Sequence, residues 1–245
     1  MSAPEFDAKG VFDDDYLYFF ADGLAERSAA EAHLIWHLLD LEPGMEVLDL
    51  ACGHGRIANR LAERGCRVTG LDATPLFLQR ARADADALGV TVDYVQADMR
   101  ELPWRSRFDR IVNWFTAFGY FDDAANKQVL AQAASALKPG GRLIVELNNY
   151  PVLMRGYLPS VVHERNGELV VDQHRLDPLA SHSIVTRTVI RGGTMRQTRF
   201  FTRLLTFPEL RDWLLSAGFL TVRGYGEDGN PLTAEHRRLI AVAEL

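Results

Sequence analysis

The sequence lacks any apolar run approaching the ~20 residues that a bilayer-spanning helix needs. Cysteine is scarce: Cys52 and Cys66 are the only two in 245 residues. Neither has a CxxC or zinc-type spacing, so no disulfide framework or structural zinc is expected, and a reducing compartment fits. A basic excess is also missing. The net charge of −6 argues against a large nucleic-acid surface, which needs a stripe of cations. The opening residues MSAPEFDAKG do not form the apolar segment of a secretory signal, so a cytoplasmic location is expected. Repeats and low-complexity tracts are absent. What remains is ordinary globular material, 47% hydrophobic and 24% charged, enough for one large α/β domain with a small insertion.

Ser28-Ala29-Ala30-Glu31 reads as a capping box, in which serine and glutamate satisfy each other's free backbone donors. A helix is expected from there to about Asp40, burying Ala32, Ile35, Trp36 and Leu39. Pro43-Gly44 breaks the chain, and Glu46 to Leu50 reads as a buried strand. A Gly-containing turn then opens a helix to about Arg64, with Gly65 as its left-handed cap. The alternation continues with a strand from Arg67 ending at Asp72 and a helix from Thr74-Pro75 to Leu88. Strands over Thr91 to Val95 and Phe108 to Asn113 follow. A helix capped by Asp122 or Asp123 runs to Leu137. Lys138 to Gly141 turns into a fifth strand, Arg142 to Leu147. Such alternation implies a parallel, doubly wound sheet.

After Asn149 the pattern changes. Stretches rich in β-branched residues, 168–172, 183–190 and 197–205, are separated by the turns Asn166-Gly167, Asp177-Pro178 and Gly192-Gly193. They read as antiparallel strands inserted into, or packed over, the main sheet. A helix over 207–217 and strands over 219–225 and 238–243 return to the first pattern. The expected division is an α/β domain of residues 1–150 and 206–245, with an N-terminal helical lid, and an antiparallel insertion of 151–205.

The turn Asp49-Leu50-Ala51-Cys52-Gly53-His54-Gly55 lies at the carboxyl end of the first strand, where open α/β sheets bind ligands. Its glycines let the backbone approach a ligand where a Cβ would intrude. Asp72, ending the second strand, can accept hydrogen bonds from both hydroxyls of a ribose. Gly53-x-Gly55-x-x-Ala58 also fits the dinucleotide fingerprint, so spacing alone leaves NAD open. Asp49 discriminates: a carboxylate before the turn repels a pyrophosphate and attracts an ammonium. Asp98-Met99, after the third strand, offers an adenine an acceptor and an apolar face.

At these residues the sequence resembles the class I S-adenosylmethionine (SAM)-dependent methyltransferases. The likeness rests on VLDLACGHGR (47–56), VTGLD (68–72), QADMRELP (96–103), LKPGGRLIVE (137–146) and LLSAGF (214–219), covering about 45–147 and 200–245. DMR (98–100), NWFTAFGYF (113–121) and the strand-rich segment are similar to bacterial enzymes that methylate small metabolites, including amino-sugar N-methyltransferases. The resemblance implies a Rossmann-like, seven-stranded, mostly parallel sheet with the last strand antiparallel and helices on both faces. It implies SAM as cofactor, with Asp49, Gly53 and Gly55 at the methionine end, Asp72 at the ribose, and Asp98 and Met99 at the adenine. Ala51, Ala73 and Asn113 are further cofactor-binding candidates.

Other candidates come from position. Tyr16, Tyr18, Phe19 and Phe20 precede the first expected helix and can form a lid, with Arg27 reaching the methionine carboxylate. Trp114, Phe115, Phe118 and Tyr120 follow the fourth strand and can make an aromatic substrate wall; Asn148 ends the fifth. Candidate catalytic groups are Tyr120, His174 and Glu146. His33 and His37 share a helix face but lack further ligands, so no metal is expected. Asp13-Asp14-Asp15 reads as a solvated acidic turn. Arg187, Arg191, Arg196, Arg199 and Arg203 alternate as a solvated strand face, with binding of an anionic substrate by one of them as the alternative. The expected reaction is in-line methyl transfer from SAM to a small molecule, at nitrogen rather than oxygen or carbon because no strong base stands out. No nucleic-acid or membrane partner is expected, and a homodimer is left open. An NAD-dependent oxidoreductase and a non-catalytic SAM-binding partner subunit remain alternatives.

Overall fold

The computed structural model describes residues 6–245. In chain order its elements are α1 (Ala8–Val11), α2 (Asp14–Leu38), β1 (Glu46–Leu50), α3 (Arg56–Glu63), β2 (Arg67–Asp72), α4 (Pro75–Leu88), β3 (Val92–Gln96) and β4 (Phe108–Asn113). Then come α5 (Asp123–Ala136), β5 (Leu137–Asn148), α6 (Tyr150–Arg155), β6 (Ser160–Arg165), β7 (Glu168–Asp177), β8 (His182–Arg191) and β9 (Thr194–Arg203). The chain ends with α7 (Phe207–Ser216), β10 (Thr221–Tyr225) and β11 (Arg238–Glu244). The large sheet has seven strands in the order β3-β2-β1-β4-β5-β11-β10. Its first five strands are parallel, while β11 runs antiparallel to both neighbours. This is the expected fold class.

Each face of the sheet buries an apolar layer. Ala32 and Ile35 of α2, Leu61 of α3 and Leu78 of α4 cover one face. Val129 and Leu130 of α5 and Leu210 and Leu214 of α7 cover the other. Strand order reverses direction between β1 and β4, so the loops leaving those two strands diverge and open a crevice at their carboxyl ends. Strands β6 to β9 form a second, antiparallel sheet. Its turns fall at Asn166-Gly167, at the Asp177-Pro178 stretch and at Gly192-Gly193.

Three local expectations need correction. Ser28 is no cap: α2 starts at Asp13, whose Oδ1 accepts from Tyr16 N at 3.1 Å. The Ser28 hydroxyl instead donates back to Leu24 O at 2.8 Å within a continuous helix. Asp13 wins because its side chain meets a free first-turn donor, whereas at Ser28 the preceding turn already satisfies the backbone. Tyr16, Tyr18, Phe19 and Phe20 therefore lie inside α2. Lys138 to Gly141, expected as a turn, form the irregular start of β5, where the register with β4 shifts. The sequence reading also missed β6 and α6, a short strand with a mostly exposed pattern and a helix of six residues, both too brief for a periodic signal.

Gly55 shows why the glycine turn has its composition. It caps α3 in the left-handed region at φ 77°. A Cβ there would sit 2.2 Å from the Tyr94 hydroxyl and 2.7 Å from Ala81 Cβ. Tyr94 cannot yield easily, since its hydroxyl donates to Asn59 Oδ1 at 2.7 Å in the buried layer. Gly55→Ala is expected to destabilise by about 3 kcal/mol, backbone strain and overpacking combined. Urea unfolding checks this; an unchanged midpoint would mean the turn relaxes freely.

Candidate active site

The crevice between β1 and β4 opens into a cavity of about 970 Å³. Its walls come from three sources: the loops after the large sheet's strands, the first turns of α2, and the inner face of the β6–β9 sheet. Of the cofactor candidates, Tyr16, Arg27, Asp49, Ala51, Gly53, Asp72, Ala73, Asp98 and Met99 line it. Gly55 lies beneath the turn rather than on the wall. Asn113 is buried below it, with Nδ2 donating to Leu50 O at 2.9 Å, which ties β4 to β1 where the crevice opens.

Asp49, in the centre of the sheet, is 2% exposed. Its Oδ2 has no hydrogen-bond partner. Burial, aided by Asp72 and opposed by Arg56, pushes its carboxyl up to about 7. Arg56, the first residue of α3, presents the complementary defect: its buried Nη2 is also without a partner. Its Nη1 pairs with Glu31, which also binds Arg27 at 3.3 Å and accepts from Trp114 Nε1 at 3.0 Å. An unsatisfied acceptor and an unsatisfied donor on one wall fit the ammonium and carboxylate of an amino acid. Sequence reasoning missed Arg56 and Glu31. Arg56 closes the glycine motif itself, and that adjacency was the available signal.

Asp72 Oδ2 accepts from Gly53 N and Oδ1 from Thr74 N, both at 2.8 Å. Each oxygen keeps a lone pair for a ribose hydroxyl. Asp98 is half-exposed and clamped by Arg100, whose guanidinium holds its carboxyl below the usual range. Met99, buried at the cavity's edge, supplies an apolar surface. These residues fit an adenosine joined to an amino acid.

The substrate candidates divide. Trp114, Phe115, Tyr120 and Asn148 line the cavity. Phe118 does not: it is 1% exposed and packed in the core under α5 and α7, because the turn after β4 directs it inward. Phe115 carries three guanidiniums within 6 Å of its ring, from Arg27 at 4.8 Å, Arg56 at 5.1 Å and Arg238 at 5.8 Å. Among catalytic candidates, His174 and Tyr120 reach the cavity. Burial lowers the His174 imidazole and raises the Tyr120 phenol. Glu146 is off the wall and 4% exposed, its carboxylate accepting from Phe115 N at 2.6 Å and Thr116 N at 3.2 Å and pairing with Arg238.

The arginine run is a solvated face only at Arg199, which is exposed. Arg187 turns inward onto Asp172, and Arg203 holds Asp123 and Glu209. Arg191 and Arg196 bind Asp15, and Arg196 also Asp13, which ties the acidic start of α2 to the second sheet. That stretch was expected in solvent; cross-strand partners explain the difference. His33 and His37 face each other at 3.1 Å with no third ligand, and no metal-holding cluster occurs among the described residues. Among the described residues no helix is long and apolar enough to cross a membrane.

Comparison with known proteins agrees with this geometry. Residues 47–141 match the family model described as a methyltransferase domain. A ubiquinone biosynthesis O-methyltransferase from Methylobacterium sp. (strain 4-46) is 30% identical over 172 residues, 68% of this chain and 67% of that protein. The cypemycin N-terminal methyltransferase from Streptomyces sp. is 28% identical over 211 residues, 82% of this chain and 83% of that protein. The structure of SAM-bound CalS10, an amino pentose methyltransferase from Micromonospora echinaspora, superposes with a TM-score of 0.64 at 21% identity, covering 94% of this chain and 98% of that one. The chain belongs to the class I SAM-dependent methyltransferases. It is an enzyme of that family, and its cofactor is SAM.

Proposed function

We propose that the enzyme methylates an amine nitrogen of a small molecule, and that residues 151–205 roof the acceptor. A cavity of about 970 Å³ has room for the cofactor and a modest acceptor together. SAM supplies, when bound, a methyl group already activated by its positive sulfur. Asp49 and the Arg27–Arg56 pair hold the amino-acid end, Asp72 the ribose, and Asp98 with Met99 the adenine. Tyr16, Phe115 and Tyr120 wall the reacting centre, exclude water and turn aromatic faces toward positive charge.

The observation that carries nitrogen over oxygen is the state of the possible bases. Glu146 is sealed by two backbone N–H groups and Arg238. Asp172 is clamped by Arg187, and the Tyr120 phenol is held un-ionised. A hydroxyl acceptor needs a base in the transition state, whereas a neutral amine brings its own lone pair. His174, on the wall with its imidazole lowered by burial, is a weak base, able to relay the proton of an acceptor arriving as ammonium but poorly matched to a far less acidic hydroxyl. The relatives' names divide between nitrogen and oxygen, so the site's chemistry supports this choice rather than kinship.

The test is incubation with SAM and pooled small amines and alcohols, with products fragmented by mass spectrometry. N-methyl products support the reading; O- or C-methyl products alone would overturn it. His174→Gln is expected to lower kcat about a hundredfold at neutral pH. The deficit should shrink as pH rises and the acceptor deprotonates unaided. A loss that stays constant with pH would remove the proton-accepting role.

A further inference from the structure

The roof of the cavity contains an ion pair that the cofactor does not need. Asp172 on β7 and Arg187 on β8 are directly opposite in register. Two parallel hydrogen bonds join them: Nε to Oδ1 at 2.8 Å and Nη2 to Oδ2 at 2.7 Å. Both side chains are nearly buried, and both line the cavity. The Arg187 guanidinium sits near the Phe20 and Phe200 rings, at 5.3 and 5.5 Å. Tyr16 and Tyr120 are close enough for Arg187 to oppose the burial that raises their phenols. A buried pair of this kind adds little stability over apolar residues of equal volume. Here it is a charged pair among aromatic rings. Two-point binding leaves lone pairs on both Asp172 oxygens and two N–H donors on Arg187 Nη1.

The cavity's other arginines each face a carboxylate. Arg100 is paired with Asp98 and Arg238 with Glu146. Arg27 and Arg56 share Glu31, so surplus positive charge falls at the methionine end, beside Asp49. No lysine lines the cavity. A phosphate in the roofed half would meet the free Arg187 Nη1 donors only beside the repelling Asp172 carboxylate, or would part the pair and leave that carboxylate buried and unpaired.

We propose that Asp172 and Arg187 form the acceptor-recognition site, and that it takes a singly cationic amine on an apolar or aromatic body while rejecting phosphorylated acceptors. The amine donates to the free Asp172 lone pairs, and a hydroxyl or carbonyl elsewhere on the acceptor accepts from Arg187 Nη1. This rests on the amine reading above and narrows it. It also separates two charge classes that share one body shape.

The experiment uses the full-length enzyme saturated with S-adenosylhomocysteine and two matched probes, tyramine and O-phosphotyramine, titrated with saturation-transfer NMR. Wild type is expected to bind tyramine and not O-phosphotyramine. Asp172→Asn frees the Arg187 charge, so preference should invert, with tyramine affinity falling at least about tenfold and the phosphorylated probe gaining. The double variant Asp172→Asn/Arg187→Gln restores neutrality and should bind neither probe selectively. Unchanged S-adenosylhomocysteine affinity in each variant shows that the fold is intact. Wild type binding O-phosphotyramine as well as tyramine, binding neither, or keeping its preference in Asp172→Asn would each overturn the assignment. The nitrogen reading fails separately, through the identity of the methylated atom in the acceptor screen, whatever the probes show.

Discussion

SAM affinity is expected to fall by nearly tenfold for each pH unit below about 7, and Asp49→Asn to flatten that dependence. The free enzyme holds the Asp49 carboxyl up at about 7 because it is buried with an unpartnered oxygen. Below that pH the group is largely protonated, and a ligand ammonium can bind only as the proton leaves. Binding therefore releases a proton on the acid side and none above it. At higher pH the ligand's own α-ammonium, with an ordinary value of about 8, begins to deprotonate. Affinity should peak between the two. At that peak, Asp49→Asn loses a charge-assisted bond of about 2 kcal/mol or more, thirtyfold or greater in Kd. Calorimetry in two buffers of different ionisation enthalpy counts the protons directly. A Kd that stays level from pH 6 to pH 8 would show that Asp49 does not meet the ammonium. The stability of the unliganded enzyme should respond with the opposite sign. A carboxyl raised above its unfolded value contributes stability at low pH that is lost as pH rises through about 7. His54, buried within the turn and lowered to about 4, opposes this: its contribution is present above pH 6.5 and is lost as pH falls toward 4. Ligand affinity and unliganded stability can thus be read as separate titrations.

The residues that were legible in the sequence share a property. Asp49, Gly53, Asp72 and Asp98 lie within or just beyond strand ends, and a strand end followed by glycine or a helix cap has a local signature. The seven strands of the main sheet were legible for the same reason, since each is an apolar run closed by turn residues. The start of α2 was missed because Asp13 and Ser28 offer the same capping chemistry, and only packing chooses between them. Arg187 and Arg203 looked like a solvated face because strand alternation gives the side of a sheet but not what covers it. The partners Asp172, Asp123 and Glu209 lie 15, 80 and 6 residues away in sequence. Arg56 was legible in type but not in role, because an unsatisfied guanidinium nitrogen is visible only once Glu31 has taken the other. Phe118 shows the limit of reading a wall from a run of aromatics: consecutive left-handed residues upstream redirect the chain.

Those left-handed residues carry the second large prediction: Glu146→Ala is expected to cost about 3–5 kcal/mol of stability and to weaken SAM binding with it. Phe115 and Thr116 follow β4 at φ 65° and 54°, a conformation that bulky and β-branched side chains disfavour. Two successive residues so placed aim their N–H groups at one point, which makes a small anion nest. The Glu146 carboxylate fills it. Arg238 then closes the far side, bonding Glu146, Asn148 Oδ1 and, at 2.7 Å, Thr116 Oγ1. Removing the carboxylate leaves the Phe115 N–H unmet and Arg238 without its counter-charge, while Thr116 N keeps its bond to the Glu146 backbone oxygen at 3.1 Å and the strain of the turn persists. The Phe115 ring, which Arg27, Arg56 and Arg238 all approach, should shift and carry the cofactor wall with it. Glu146→Gln keeps an amide oxygen for the nest and loses only the charge, so about 1–2 kcal/mol is expected. In a double-mutant cycle, Glu146→Ala and Arg238→Ala should together cost less than the sum of the two, because each alone strands the other. This separates the two roles that a buried glutamate near a methyl-transfer site can have. A positioning group loses stability and cofactor affinity together and is rescued in part by glutamine. A proton acceptor would instead leave both intact in Glu146→Gln and abolish kcat, and that pattern would return Glu146 to the catalytic machinery.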